Sequence, residues 1–360
     1  MSYEFWLTTD SGTRIALLNN LIWFDGYRVI DGVGYSELAL PPSFDTRLWG
    51  VDRMLQVWRA PRGGRLRLWN VFFLRKPEWH TAIGRRFLAG GVAAKELLRR
   101  RVIPFDESDS KAAKTDLADD MMKEIVDEQM VSASTAARNW SNLTVAGDLG
   151  AGPSLTKTFD DRNLYRTLDD IALAAKTAGT EVWFDVVPSS VSASAISFQF
   201  RTYTGQPGRD LTETGIVFDE ARGNMVDARL EYDYLGTINQ VYAVGQGTEG
   251  DRETQEVSDS GRIALSAWNR REESVFALRE ETANGVRDAG RAALVEGEPV
   301  RRFTARAVDT AGTRYGADWE CGDKVRVRYR DKEFDAIVST VHITLRNGHE
   351  TIDARLEYRA

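Results

Sequence analysis

Gly245, Gly247 and Gly250 stand in the order G-x-G-x-x-G after a strand-like run. This spacing can turn a chain beneath a pyrophosphate, provided that a helix with an apolar face starts there. The residues that follow, DRETQEVSDSG, are polar and poor in helix formers. The spacing therefore reads as a glycine-rich turn, and no cofactor is expected. The three histidines are His80, His342 and His349. No further histidine or cysteine pair completes a zinc set around them, so no metal site is expected. Cys321 would act as a nucleophile only in an electropositive cleft, and its neighbours Glu320 and Asp323 disfavour a thiolate.

Carboxylates occur in pairs at Asp119-Asp120, Asp160-Asp161, Asp169-Asp170 and Glu280-Glu281. Glycoside hydrolysis needs two carboxyl groups held at a set separation across a groove. All four pairs fall on or beside helical stretches, where a solvated face or a helix cap is the plainer reading. Arg99-Arg100-Arg101 closes the stretch GGVAAKELLRRR. It could meet phosphate, and it equally suits the negative end of a helix. Asn139-Trp140-Ser141 and Asn142-Leu143-Thr144 match the glycosylation pattern, which acts only in a secreted chain. No catalytic residue is assigned.

The composition is that of a globular protein, with 360 residues, 42% hydrophobic and 28% charged. The length suggests two or three domains. The first residues, SYEFWLTTDSG, lack the basic start and apolar run of a secretory signal. No apolar window is long enough for a membrane span. A single cysteine excludes an internal disulfide and fits a reducing cytoplasm. Arginine far outnumbers lysine, which reflects either a GC-rich genome or bidentate contacts at interfaces. The net charge of −7 argues against tight wrapping by nucleic acid. It suits a surface that DNA passes without adhering.

Residues 1–105 read mostly as strands, among them TRIALL, SELAL, RMLQVWR and LRLWNVFFLR. Pro41-Pro42 closes SELAL. In LRLWNVFFL, period-two alternation puts Leu68, Phe72 and Leu74 on one face and Trp69, Val71 and Phe73 on the other. A strand apolar on both faces must be covered twice. DESDSKAAK reads as a linker, followed by a helix over 115–130 with Thr115 as its cap. Leu117, Met121, Met122, Ile125, Val126 and Met130 form its apolar stripe, and Asp119 and Asp120 lie on the other faces. A second helix carries Leu164, Leu168, Ile171, Ala172 and Ala175, capped by Asp160 or Asp161 and stopped by Gly179. The strand EVWFDVV follows, with ISFQFRTY as its partner. Strands return over 216–245, 247–261 reads as an exposed excursion, and 268–295 reads as helical. RRFTARAV, DKVRVRYR, FDAIVSTVHITL and TIDARLEY are strands, with a hairpin turn at Asn347-Gly348.

This order of elements resembles the tail hub family of long-tailed siphophages, the minor tail or baseplate hub proteins. That family is related to the trimeric hub of contractile-tail baseplates. The resemblance covers most of the chain and carries no catalytic signature. It rests on VGYSELALPPSFDTRLWGVDRMLQVWRAP with LRLWNVFFLRKPEW, on NLYRTLDDIALAAKTAGTEVWFDVV, and on YGADWECGDKVRVRY with FDAIVSTVHITL.

The resemblance implies an α+β, β-rich fold with two tube-like β-barrel domains and accessory α+β and helical segments, the domains being discontinuous. Residues 1–105 would form the first tube-like domain, completed by strands in 205–246. Residues 106–204 would form a helix-plus-sheet domain. Residues 205–298 would hold the returning strands, the excursion and a helical segment, and 299–360 would complete the second barrel. The implied role is structural rather than enzymatic. A homotrimer at the tail tip of the virion, made in the host cytoplasm, would present six β domains and continue a six-fold tail tube. Its neighbours would be the tail tube or distal tail protein, tip, fibre or receptor-binding proteins, and the tape-measure protein. DNA would pass through its lumen unbound, and no membrane anchor is implied. Trp69 and Phe73 are the candidate contacts with a neighbouring subunit or tail protein. A hexameric adaptor ring and a tail-associated cell-wall hydrolase are the alternatives; six-fold symmetry would mark the first and a cleft carboxylate pair the second.

Overall fold

The computed structural model describes residues 2–61, 63–80, 86–104, 112–159, 162–247, 252–278, 282–308 and 310–358. The N-terminal half is built from β1 (Ser2–Thr8), β2 (Arg14–Leu17), β3 (Trp23–Val29), β4 (Tyr35–Leu40), β5 (Met54–Ala60), β6 (Arg67–His80) and β7 (Arg86–Ala93). All pair antiparallel, and β4 ends at Leu40, immediately before Pro41-Pro42. The 3-10 helix Ala94–Arg100 follows.

The helix-plus-sheet unit comprises β8 (Ala112–Leu117), α1 (Ala118–Val126), β9 (Leu143–Val145), β10 (Ser154–Phe159), α2 (Leu164–Thr177), β11 (Val182–Val191) and β12 (Ile196–Thr204). Most of the linker DESDSKAAK lies outside the described residues, and its last residues join β8. The expected cap at Thr115 is corrected: Thr115 lies on β8, opposite Thr156 of β10. That ladder runs to the pair Leu117–Ser154, so the helix starts only at Ala118. Of the expected apolar stripe, Met121, Met122, Ile125, Val126 and Met130 are buried, whereas Leu117 lies on β8 before the helix. Asp119 is a second correction. It is fully buried and meets Lys123 Nζ at 3.1 Å, one helical turn on, while Oδ1 accepts from Ala151 N at 2.9 Å. Asp120 accepts from Leu149 N at 3.2 Å, so the pair holds the loop against α1.

Asn163 caps α2 by accepting from Arg166 N at 3.4 Å; Asp160 and Asp161 lie outside the described residues. Leu164, Leu168, Ile171 and Ala175 are buried, and Ala172 packs beside them. Gly179 takes the left-handed conformation (φ 89°) that ends the helix. β11 pairs antiparallel with β12 as expected, and Val182, Phe184 and Val186 enter the same apolar cluster as α1 and α2.

The rest of the chain supplies β13 (Val217–Asp219), β14 (Met225–Asp233), β15 (Gln240–Val244), β16 (Thr254–Ser258), the short α3 (Ser260–Ile263), β17 (Glu272–Phe276) and α4 (Ala283–Glu296). β18 (Val300–Ala307), β19 (Lys324–Tyr329), β20 (Lys332–Arg346) and β21 (His349–Tyr358) follow, with Asn347-Gly348 as the hairpin turn. Two expectations change here. The excursion contains β16, which pairs with β15, and the segment expected to be helical from 268 first forms β17. Main-chain pairing on both sides of β15 overrides the weak helical pattern, and the helix waits until Thr282 caps α4. α4 packs on this small sheet so closely that a Cβ on Gly290 would stand 2.8 Å from Val257 Cγ2.

One sheet of thirteen strands joins the two ends of the chain; its longest path runs from β14 to β2, and a side branch from β20 through β19 ends at β13. The join is β3 against β20, from the pair Val29–Thr340 to the pair Trp23–Arg346. Within 205–246, β13 pairs with β19 and β14 with β18 in the C-terminal half, while β15 belongs to the small sheet with β16 and β17. A single apolar cluster runs through both halves, from Phe5, Phe24 and Phe72 to Phe303, Val338 and Leu356.

Candidate functional site: a seam and the sheet edges

The second apolar cluster fills the seam between the N-terminal half and the helix-plus-sheet unit. β6 contributes to both clusters. Phe72 and Leu74 enter the first, and Val71 and Phe73 enter the second. Trp69 joins the first cluster although alternation assigns it to the face of Phe73. The register of β6 against β5 shifts between Val57–Asn70 and Trp58–Leu68, and this bulge turns Trp69 over. Trp69 is 8% exposed and donates from Nε1 to the Tyr315 hydroxyl at 2.7 Å; Phe73 is 7% exposed, against the ring of Phe198. Both side chains are thus packed within the chain itself, Trp69 beside Tyr315 and Phe73 beside Phe198. The second cover of β6 is this chain's own helix-plus-sheet unit.

The arginine run belongs to the same seam. Arg99 lies over Tyr165 at 4.5 Å, Arg100 over Phe73 at 5.7 Å and Arg101 over Trp140 at 4.0 Å. Each guanidinium covers a ring, a use that the helix-end reading missed. Burial pushes the Cys321 thiol up to about 12, which suits a quiet cysteine. His342 does not meet His349; its Nε2 lies 2.7 Å from Asp25 Oδ1, and this bond raises its pKa. Among the described residues no cluster of metal-ligating side chains occurs. Gly245 is a packing glycine: a Cβ there would stand 2.6 Å from Val286 Cγ2 of α4. β16, not a helix, follows that turn. Glu280 and Glu281 lie outside the described residues.

A cavity of about 310 Å³ opens within the seam, lined by Arg28, Lys95, Trp183, Asp185 and Tyr203 among others. Lys95 is 4% exposed, donates to Ile30 O at 3.1 Å and lies 4.3 Å over the ring of Phe184. Burial lowers its pKa, against the pull of Asp185, Asp31 and Asp169. No sequence pattern marked Lys95; its only signal was a charge inside an otherwise apolar run.

Asp169 faces Lys95 from α2. Burial pushes its carboxyl up to about 6, against Lys95 and Arg99 and with the repulsion of Asp31 and Asp170. The native state therefore binds this proton more tightly than the unfolded chain does. That contribution is complete below about pH 4 and is lost as pH rises through 6. Asp169→Asn is expected to leave stability unchanged at pH 4 and to raise it at pH 8. The carboxyl is half exposed, so solvent screening holds the gain to about 1 kcal/mol. Urea melts at the two pH values check this, and an equal effect at both contradicts it.

No described helix is long and apolar enough to cross a membrane. The remaining functional features are edges. Among the described residues β2, β13 and β14 each pair with one strand of the large sheet only, and Tyr232, Tyr234 and Leu235 stand exposed at the end of β14.

This architecture is the fold of phage tail proteins. The tail protein from Neisseria meningitidis MC58 superposes with a TM-score of 0.60 at 12% identity, covering 99% of this chain and 97% of that one. The 43 kDa tail protein of prophage MuSo2 from Shewanella oneidensis gives 0.62 at 11% identity, with 99% and 98% covered. A chain of the Francisella PdpA-VgrG complex gives 0.51 at 8% identity; 99% of this chain matches 57% of that one. Residues 88–356 match the family described as Siphovirus ReqiPepy6 Gp37-like protein, and the chain belongs to that family. No curated protein matches its sequence.

Proposed function

We propose that the chain is a structural protein of the virion tail tip. Three copies form a hub that continues the six-fold tail tube and joins it to the tip and receptor-binding apparatus. One observation carries this reading. Each chain holds two β halves that share β20, and among the described residues β2 and β14, the ends of the longest path through the common sheet, each pair on one side only, as does the short β13 on its side branch. Head-to-tail contact between β2 of one copy and β14 of the next would satisfy those two edges, and such contacts close into a ring when the rotation allows. Three chains with two halves each match a six-fold tube. An unpaired edge invites aggregation unless something covers it.

The hub's partners are then the tail tube or distal tail protein on one side, and tip, fibre or receptor-binding proteins on the other. The tape-measure protein is a further neighbour. Ejected DNA passes through the ring, and the net charge of −7 per chain disfavours adhesion. The adaptor-ring reading is weaker, because six copies would present twelve β halves to a six-fold tube. Light scattering with negative-stain imaging of the purified chain tests the hub. The expected particle has the mass of three chains and six lobes. A six-fold ring contradicts it.

A further inference from the structure

β3, β4, β20 and β21 lie in the middle of the main sheet and span both halves of the chain. On one face, Phe24, Leu38, Val341, Ile343, Ile352 and Ala354 enter the first apolar cluster. Across that core the ring of Phe24 meets Phe5 of β1 at 5.0 Å and Trp69 of β6 at 6.1 Å. The helix-plus-sheet unit packs on the far side of β6, through Val71 and Phe73. The layers therefore run from that unit through the wall of β5 and β6 and the core to the wall of β3, β4, β20 and β21.

The outer face of this last wall is left to its own side chains. α1 packs on β12, α2 on β11, and α4 on β15 and β16, so the helices cover other sheets. Alternation puts Asp25, Glu37, His342, Arg346, Asp353 and Arg355 on the outer face. Acids and bases interleave there. Asp25 stands opposite Glu37 and Asp353 opposite His342, whose Nε2 lies 2.7 Å from Asp25 Oδ1. The aromatic rings are taken up locally: Tyr27 lies against Tyr35 and His342, and Arg346 lies over Trp23. Among the described residues, none of the exposed large apolar side chains sits on these four strands. A protein-docking face carries an exposed apolar anchor, and a phosphate-binding face carries a cationic stripe. This face has neither.

We propose that this wall lines the channel of the hub, with Asp25, His342, Thr344 and Thr351 facing the passing DNA. The inference rests on the hub reading above. A ring carries accessory units on its outside, because in the lumen they would plug it. The wall on the opposite side of the core is then the one that faces the axis. The ladder of β3 with β20 makes this wall continuous between the two halves of a chain, as a channel lined by both halves requires. Interleaved charges of both signs hold no row of phosphates, so the DNA slides.

Thr344 and Thr351 are cross-strand partners. Thr344→Lys with Thr351→Lys places a patch of positive charge on the wall. The expected tails keep the parent's copy number, and their virions release DNA at least about tenfold more slowly, an effect relieved by added salt. Ser141→Lys with Ala267→Lys adds the same charge at exposed positions of the helix-plus-sheet unit and of the loop before β17, and should leave release unchanged. Independently, the exposed Thr351 is replaced by cysteine. In the free chain, Thr351→Cys should react with N-ethylmaleimide and with a maleimide carried on an antibody fragment. In purified tails only the small reagent should reach it. Three copies per tail with Thr351→Cys open to the bulky reagent, or with release unslowed by the lysine pair, overturns the inference and leaves the hub standing. Six copies per tail overturns both. If the lysine pair yields no tails, the cysteine labelling decides.

Discussion

Replacing Arg59 by methionine will destabilise the chain by about 3–5 kcal/mol. Arg59 on β5 and Glu350 on β21 form a buried pair, with side chains 3% and 4% exposed and Nε–Oε1 at 2.6 Å. Arg59 Nη2 donates to Oε2 at 3.0 Å and Nη1 donates to Tyr315 O at 2.8 Å. The Tyr3 hydroxyl donates to the same carboxylate. These bonds tie the first strand, the fifth strand and the last strand together across nearly the whole sequence. Removing the cation leaves the Glu350 carboxylate in a dry site with no cation and only the Tyr3 hydroxyl as donor, which costs more than the pair itself contributes. The double variant Arg59→Met with Glu350→Leu should recover most of the loss, because a well-packed apolar pair often replaces a buried ion pair without penalty. Denaturant melts of the three proteins decide the matter. A single variant that melts like the parent would mean that the pair is solvated.

The second large effect is at Phe73. Phe73→Ala should lower the stability of the isolated chain by about 3–5 kcal/mol through the cavity left between Phe198 and Arg100. The same substitution at a site waiting for a neighbouring subunit would leave the melt of the single chain unchanged and weaken assembly instead. Comparing the unfolding midpoint with the assembly state separates the two cases. An unaltered midpoint would contradict the burial described here.

Much of the fold was legible in the residues. Pro41-Pro42, Gly179 and Asn347-Gly348 are punctuation with a single conformational meaning, and each ends or turns an element where expected. The apolar stripes of α1 and α2 are buried as their spacing implies. What failed was set by pairing rather than by local preference. Thr115 is a good cap, yet the β8–β10 ladder takes it. The segment after Trp268 has a helical pattern, yet β15 draws it into a sheet. The bulge at Trp69 leaves no trace in the alternation of LRLWNVFFL, and it reverses that side chain. The seam was illegible for a related reason. Lys95, Asp169 and Asp185 come together only after three separate elements pack, and no spacing along the chain encodes that meeting. The buried Asp119 shows the same limit. A carboxylate on a helix looks solvated until the loop carrying Ala151 folds over it.

The hub makes a numerical claim, and the copy number of this chain in purified tails tests it most directly. Quantitative mass spectrometry against the tail-tube protein gives that number without purifying a ring. Three copies per tail is the expected result, since each chain brings two β halves to a six-fold tube. Six copies per tail would contradict the hub and point to an adaptor ring.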